Sequence, residues 1–290
     1  MYDVLIPGVL EQFTPAATTE RGFLEQVQQA DIRLVEHFRT HGPVSPEIYT
    51  DPLIRAAYLL RHLGHYTLQM GDLLTALDGR PEVAAVLGRR RLRLAALCGG
   101  PCPEAIALSC LHRQLGGVAM DVTVLDRNAS HWDDCWPITG AIAGNYPEHP
   151  SVRITGVVTD LFSATMAAAE RRALAGADVF TTMNCLNELV GLGIGRVRQG
   201  LRRRLALLRS GTLVLASDQA GCGDCTRGLT LLRQLLEEQG ARILLDDQGQ
   251  VHAVENRLGL PQGIAWMYGA ANENRFRIKV KTLRLAAVLA

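Results

Sequence analysis

From Leu92 onward the chain alternates short apolar runs with longer stretches at helical spacing, and this alternation restricts its fold more than any other feature. The runs are RLRLAALC (91–98), VAMDVTVLD (118–126), SVRITGVVTD (151–160), ADVFTTM (177–183), GTLVLASD (211–218) and ARILLDD (241–247). Apolar runs of about six residues, bounded by small or polar residues, read as buried strands. The stretches between them read as helices: Glu104 to about Leu115, a polar Trp-containing segment after Asp126, Ala164–Leu174, Asn187–Leu208 and Thr226–Gln239. Strand, helix, strand in this repeated order predicts a doubly wound, mostly parallel α/β sheet. The segment FRIKVKTLRLAAVL (276–289) alternates and follows the sixth strand through a loop, so it predicts a seventh, antiparallel strand.

The first ninety residues have another texture. In QVQQADIRLVEHFRTH (26–41), Ile32, Val35 and Phe38 share one helical face, with Leu34 beside it. Asp51-Pro52 is a helix-start signal, and Leu53–Leu77 carries apolar residues at helical spacing, loosened at Gly64. The expected plan is a helical lid or substrate-binding region over 1–90 and a sheet domain over 91–290.

Composition excludes several classes. A formal net charge of +1 gives no global field for nucleic acid or an acidic membrane. Seven cysteines, an odd number without framework spacing, read as free thiols in a reducing cytosol. The start, MYDVLIPGVLEQF, has neither a basic n-region nor a small-residue cleavage site. No uncharged apolar run reaches the ~18 residues a membrane span needs. The expectation is a cytoplasmic protein without a membrane partner.

In a doubly wound sheet, ligands sit at the carboxyl ends of the strands. The first such end is LCGGPCPEAIALSCL (97–111). Gly99 and Gly100 allow a tight turn and close ligand approach, and Pro101 stiffens it. Glu104 opens the helix, where a carboxylate suits the dipole but opposes a pyrophosphate. An adenosyl ligand without phosphates fits better, and a plain β-to-α turn is the alternative. A nicotinamide-dependent oxidoreductase would need the complete glycine fingerprint, which is missing.

The next three strand ends are also polar. Asp126 follows the loop at the spacing of an acid that grips ribose hydroxyls. Asp160 offers an acceptor for an exocyclic amine, and Leu161 and Phe162 an apolar wall. Asn184 and Asn187 lie where a reacting centre would be. Helix capping is the alternative for Asp126, Asp160 and Asn184.

This constellation resembles a class I S-adenosylmethionine-dependent methyltransferase, in architecture from about Arg91 to Ala290. CGGPC resembles the family's glycine-rich first motif, with Gly99, Gly100 and Pro101 matching and Cys98 and Cys102 in place of the outer glycines. Ala96 stands where an acidic residue is often found. Cysteine suits the flanks provided neither needs a positive φ. The resemblance implies S-adenosylmethionine as cofactor, held by Cys98, Gly99, Gly100, Pro101, Asp126 with its neighbour Arg127, Asp160, Leu161, Phe162, Asn184 and Cys185.

The acceptor expected is a small molecule or peptide. An NPPY-like signature of nucleobase and amide methylation is missing at Asn184–Leu189. The runs RRRLR (89–93) and RVRQGLRRRL (196–205) lack interleaved aromatics, and the second reads as a solvated helix face, which disfavours RNA. Tyr58 and His62 share a face, with Tyr66 on the next turn. They are candidates for the substrate pocket with Asn187 and Trp132, and His62 for a general base. HWDDCW (131–136) and Cys222-Gly-Asp-Cys225 lack the second ligand pair of a zinc site, so no metal is expected. A homodimer through the helical lid, a non-catalytic partner protein with a decayed cofactor loop, and an RNA methyltransferase are the alternatives carried forward.

Overall fold

The computed structural model describes residues 1–40, 46–144, 151–220, 223–247, 249–255, 261, 264, 266–267 and 279–290. Its strands are β1 (Arg91–Leu97), β2 (Ala119–Asp126), β3 (Ser151–Val158), β4 (Val179–Met183), β5 (Leu213–Gln219), β6 (Arg242–Asp246), β7 (His252–Glu255) and β8 (Lys279–Val288). They form one sheet in the order β3-β2-β1-β4-β5-β8-β6, with β7 paired to β8 off this path. β1 to β5 pair in parallel, and β8 runs antiparallel to β5 and β6. The expected seven-stranded path with an antiparallel last strand is therefore present. β7 is an addition, too short and polar to stand out as an apolar run.

Side chains alternate across each strand, so one strand feeds two cores. From β1, Leu92, Leu94 and Ala96 enter one apolar cluster, while Ala95 and Leu97 enter the other. The first cluster is covered by α1 (Tyr2–Phe13), α2 (Glu20–Thr40), α3 (Pro52–Tyr58), α4 (Gly64–Ala76), α5 (Pro81–Leu87), α6 (Pro103–Gln114) and α8 (Trp136–Gly144). The second is covered by α9 (Ala168–Gly176), α10 (Leu186–Gly191), α11 (Ile194–Leu205) and α12 (Gly223–Glu238). A short α7 (Ala129–Trp132) follows β2.

Four sequence expectations change. In α2 the buried stripe is Phe23, Val27, Ala30 and Leu34, whereas Ile32 is 43% exposed. The stripe lies one residue round the helix because Phe23, upstream of residues 26–41, and Val27 set its phase. Asn187–Leu208 is two helices, broken where Gly193 takes φ +125°. The helix expected over Ala164–Leu174 starts only at Ala168. The arginine run of α11 is not a solvated face throughout: Arg204 is 0% exposed, while Arg198 and Arg202 both pair with Glu238.

Asp51 caps α3 through Leu53 N–H at 2.9 Å, as the Asp-Pro signal implied. Between α3 and α4 the chain widens into a π-turn at Leu59–Leu63, just before Gly64. No helix among the described residues is long and apolar enough to cross a membrane.

Candidate functional site

The crossovers run one way from β1 through β2 to β3 and the other way from β4 to β5, so the sheet's switch point lies between β1 and β4. A cleft opens there. Cys98, Gly100, Asp126, Arg127, Asp160, Leu161, Phe162, Asn184 and Cys185 line it, with Tyr58 and Trp132 on its helical side. These expected residues come from four different strand ends, and the fold brings them together.

The glycine loop is held from several sides. Cys98 N–H donates to Leu125 O at 2.7 Å, and Cys102 N–H to Gly99 O at 2.7 Å. Trp136 Nε1–H donates to Gly100 O at 3.0 Å, and the Thr139 hydroxyl to Pro101 O at 2.7 Å. The backbone is left-handed at Cys98 (φ +53°), Gly100 (φ +50°) and Cys102 (φ +60°). The condition under which cysteine fits the flanks is thus not met: both cysteines sit where glycine is favoured, at a conformational cost. Gly99 and Pro101 support the turn and are not among the lining residues. A Cβ on Gly99 would come within 2.9 Å of Ala96 Cβ, so this glycine is needed for packing.

Asp126 is the fixed point of the cleft. Its Oδ2 accepts Gly100 N–H at 3.1 Å and its Oδ1 accepts Asn128 N–H at 2.7 Å. Burial raises its pKa, and these two backbone donors oppose the rise. Each oxygen keeps a lone pair for a further donor. Glu104, 1% exposed in the first turn of α6, lies beneath the loop, where burial pushes its carboxyl up to about 7.

After β3, Asp160 Oδ1 accepts Phe162 N–H at 3.0 Å and closes an Asx turn. The buried Arg204 grips the same segment from below. It donates to Asp160 O at 2.9 Å and Leu161 O at 3.1 Å and pairs with Glu170 at 2.8 Å. Arg196 lies over the Phe162 ring at 4.4 Å. Gly200 lets α11 approach this segment, since a Cβ there would sit 2.3 Å from Leu161 O. Gly200→Ala is therefore expected to cost about 1–3 kcal/mol in chemical denaturation, through forced separation of α11 from Leu161.

After β4, Asn184 takes φ +52°, and its side chain exchanges hydrogen bonds with Gln69 of α4, at 2.9 and 3.2 Å. Gln69 is 0% exposed and also donates to Ser217 Oγ at 2.8 Å. The amide of Asn184 is thus held by the N-terminal helices. None of Asp126, Asp160 and Asn184 caps a helix: the cap positions of α7, α9 and α10 are Asn128, Ala167 and Cys185.

The helical wall is aromatic. Trp132 is 2% exposed and lies 4.8 Å from Tyr49 and 5.2 Å from Tyr58, between ring centroids. His62 and Tyr66 are not brought to the cleft: His62 packs against Tyr58 at 4.8 Å and stacks on Tyr66 at 5.3 Å. Burial, with Arg61 and His65 nearby, lowers its pKa well below the usual histidine value. Asn187 is also outside the cleft, with its backbone N–H on Asp218 Oδ2 at 3.0 Å.

Sequence reading missed Tyr49 and Glu188, which line the cleft. Tyr49 sits in a short 3₁₀ turn (Pro46–Thr50), which no periodicity marks. Arg55 holds that turn, donating to Tyr49 O at 2.7 Å and to Asp134 at 3.1 Å. HWDDCW is thereby explained as a clamp: Asp134 binds Arg55, Trp136 binds the loop, and Trp132 forms the wall. Among the described residues no group of His, Cys, Asp and Glu is placed to hold a metal ion. Cys222 of the C-x-x-C lies outside the described residues.

No family model and no curated protein matches the chain. Solved structures do. An O-methyltransferase family protein from Burkholderia thailandensis is 15% identical, with 97% of this chain and 76% of that one covered and a TM-score of 0.49. Magnesium protoporphyrin IX methyltransferase from Synechocystis PCC 6803, with bound SAM, is 12% identical over 96% of this chain and 100% of that one, at 0.42. A 16S rRNA (adenine(1408)-N(1))-methyltransferase mutant from Catenulisporales acidiphilia is 15% identical over 73% and 92%, at 0.38. At these identities and scores the likenesses carry no assignment of activity to this chain.

Proposed function

We propose that this chain is an S-adenosylmethionine-dependent methyltransferase acting on a small molecule or peptide. The observation that carries the reading is Asp126, a buried carboxylate tied to the glycine loop and the β2 turn, at the floor of a cleft on the switch point. Its remaining lone pairs suit vicinal ribose hydroxyls. Gly100 lets a ligand approach the loop without a Cβ in the way, and Leu161 and Phe162 suit a purine face. Glu104 in the first turn of α6 opposes a pyrophosphate once it ionises, above about pH 7, where an adenosyl group fits these residues better than a dinucleotide.

When bound, the cofactor supplies a sulfonium methyl group that is already electrophilic. The chain's own residues then have to align an acceptor and exclude water. Tyr49, Tyr58 and Trp132 form the apolar wall for this. Glu188 replaces His62 as the group placed to take a proton where the acceptor must lose one: it lines the cleft, and its charge acts on Tyr49, Tyr58 and Tyr66. A small acceptor is favoured over RNA because Arg198 and Arg202 of α11 are engaged with Glu238 and Arg204 with Glu170.

Calorimetric titration with S-adenosylmethionine and S-adenosylhomocysteine, with NADH as control, tests the reading. Wild type is expected to bind both sulfur ligands and not NADH. Asp126→Ala is expected to bind at least about 30-fold more weakly, the loss of hydrogen bonds worth roughly 2 kcal/mol to a charged acceptor. Folded wild type that binds neither sulfur ligand would overturn it.

A further inference from the structure

The cleft contains two thiols that methyl transfer does not use. Cys98 follows β1 and Cys185 follows β4, its parallel neighbour, with Leu97 in register with Thr182. Both line the cleft, Cys98 half-buried and Cys185 8% exposed. Thr182 Oγ1 lies 3.0 Å from Cys185 Sγ. The neighbouring Cys98 thiol, with burial, pushes the Cys185 thiol well above its usual range. Cys98 keeps a side chain at φ +53°, where glycine would remove the conformational cost. Backbone cost retained beside a ligand cleft is a pointer to function.

We propose that Cys98 and Cys185 are a peroxide-sensitive dithiol that closes to a disulfide across the cleft and shuts it to its ligand. The shutting step rests on the cofactor reading given above; the oxidation step does not. Cys98, the more open of the two, attacks the peroxide O–O bond. One oxygen stays on sulfur as a sulfenic acid and the other leaves as water. Cys185 sulfur then attacks Cys98 sulfur, the S–S bond forms, the S–O bond breaks, and the Cys185 proton leaves with hydroxide as a second water. Two thiols lose two electrons and one hydrogen peroxide gains them. A dithiol reductant reverses the change.

The test treats the full chain, in a Cys110→Ser background that removes an exposed competing thiol, with hydrogen peroxide. The expected intact mass falls by two hydrogens, and non-reducing peptide mapping joins the Cys98 and Cys185 peptides. S-adenosylhomocysteine binding falls at least tenfold and returns with dithiothreitol. In Cys185→Ser, checked for folding by circular dichroism, oxidation stops at a sulfenic acid on Cys98 that dimedone traps. Peroxide that leaves Cys98 and Cys185 as free thiols overturns the proposal, whether or not the reduced protein binds the ligand. A mapped disulfide with unchanged ligand binding overturns the shutting step. A mapped disulfide in a protein whose reduced form never bound the sulfur ligands supports the dithiol and removes the cofactor reading instead.

Discussion

Arg204→Ala is expected to lower stability by about 3–5 kcal/mol, the cost of leaving one member of a buried ion pair without its partner. Arg204 is 0% exposed and Glu170 only 2%. Their 2.8 Å contact is supplemented by guanidinium hydrogen bonds to the carbonyls of Asp160, Leu161 and Gly200. Alanine removes every one of these donors and leaves Glu170 buried without its Arg204 partner. The midpoint of urea denaturation measures the loss. Arg204→Lys is expected to recover little, because a single ammonium does not reproduce the fork that serves three carbonyls and a carboxylate. The double variant Arg204→Met/Glu170→Leu is expected to recover most of the stability, since a buried pair contributes little net against well-packed apolar residues. It should still bind ligand weakly, because the Asp160–Leu161 segment has lost its grip from below. A loss under about 1 kcal/mol for Arg204→Ala would show that water reaches this pair.

Glu104→Gln is expected to stabilise the protein at pH 8 by roughly 3 kcal/mol and to leave it nearly unchanged at pH 4. The carboxyl ordinarily titrates at 4.5 and is pushed up to about 7 in the folded chain by burial. Between these values the native state holds a proton that the unfolded state has released. Stability therefore falls as pH rises through this window, by about 1.4 kcal/mol per pH unit, and the loss is complete above about 7. Glutamine keeps the shape and does not titrate, so the gap between variant and wild type opens from about pH 4.5 upward. Asp218, also pushed up to about 7 by burial, slopes the same way and leaves part of the fall in the variant. Denaturation midpoints across pH 4–8 measure both curves. A gap that does not change with pH would mean Glu104 stays ionised beneath the loop.

The centre of the sheet was legible because its inner parallel strands write their burial into consecutive residues, as in Leu94–Leu97 and Leu213–Ser217. The polar strand ends were legible for the same reason: Asp126 interrupts an apolar run at a fixed place. The conformation of the loop was not. Cysteine has no preference for positive φ, so nothing at Cys98 or Cys102 announced it. Arg204 was hidden within a run of arginines, whose ordinary reading is a solvated surface. Gln69 was hidden because its partners Asn184 and Ser217 are 115 and 148 residues away. His62 shares a helical face with Tyr58, which spacing shows, but only the packing shows that Tyr58 faces the cleft and His62 lies beyond it.

The sheet order also sets a timetable. β8 lies between β5 and β6, yet it is made after both. While the chain is being synthesised, β5 waits with an open edge and β6 has no partner in the sheet. Ala286 and Ala287 of β8 belong to the two opposite apolar clusters, so neither face is complete before residues 279–288 emerge. The sheet of such a molecule closes late, and in that interval its exposed edges are what a chaperone has to guard.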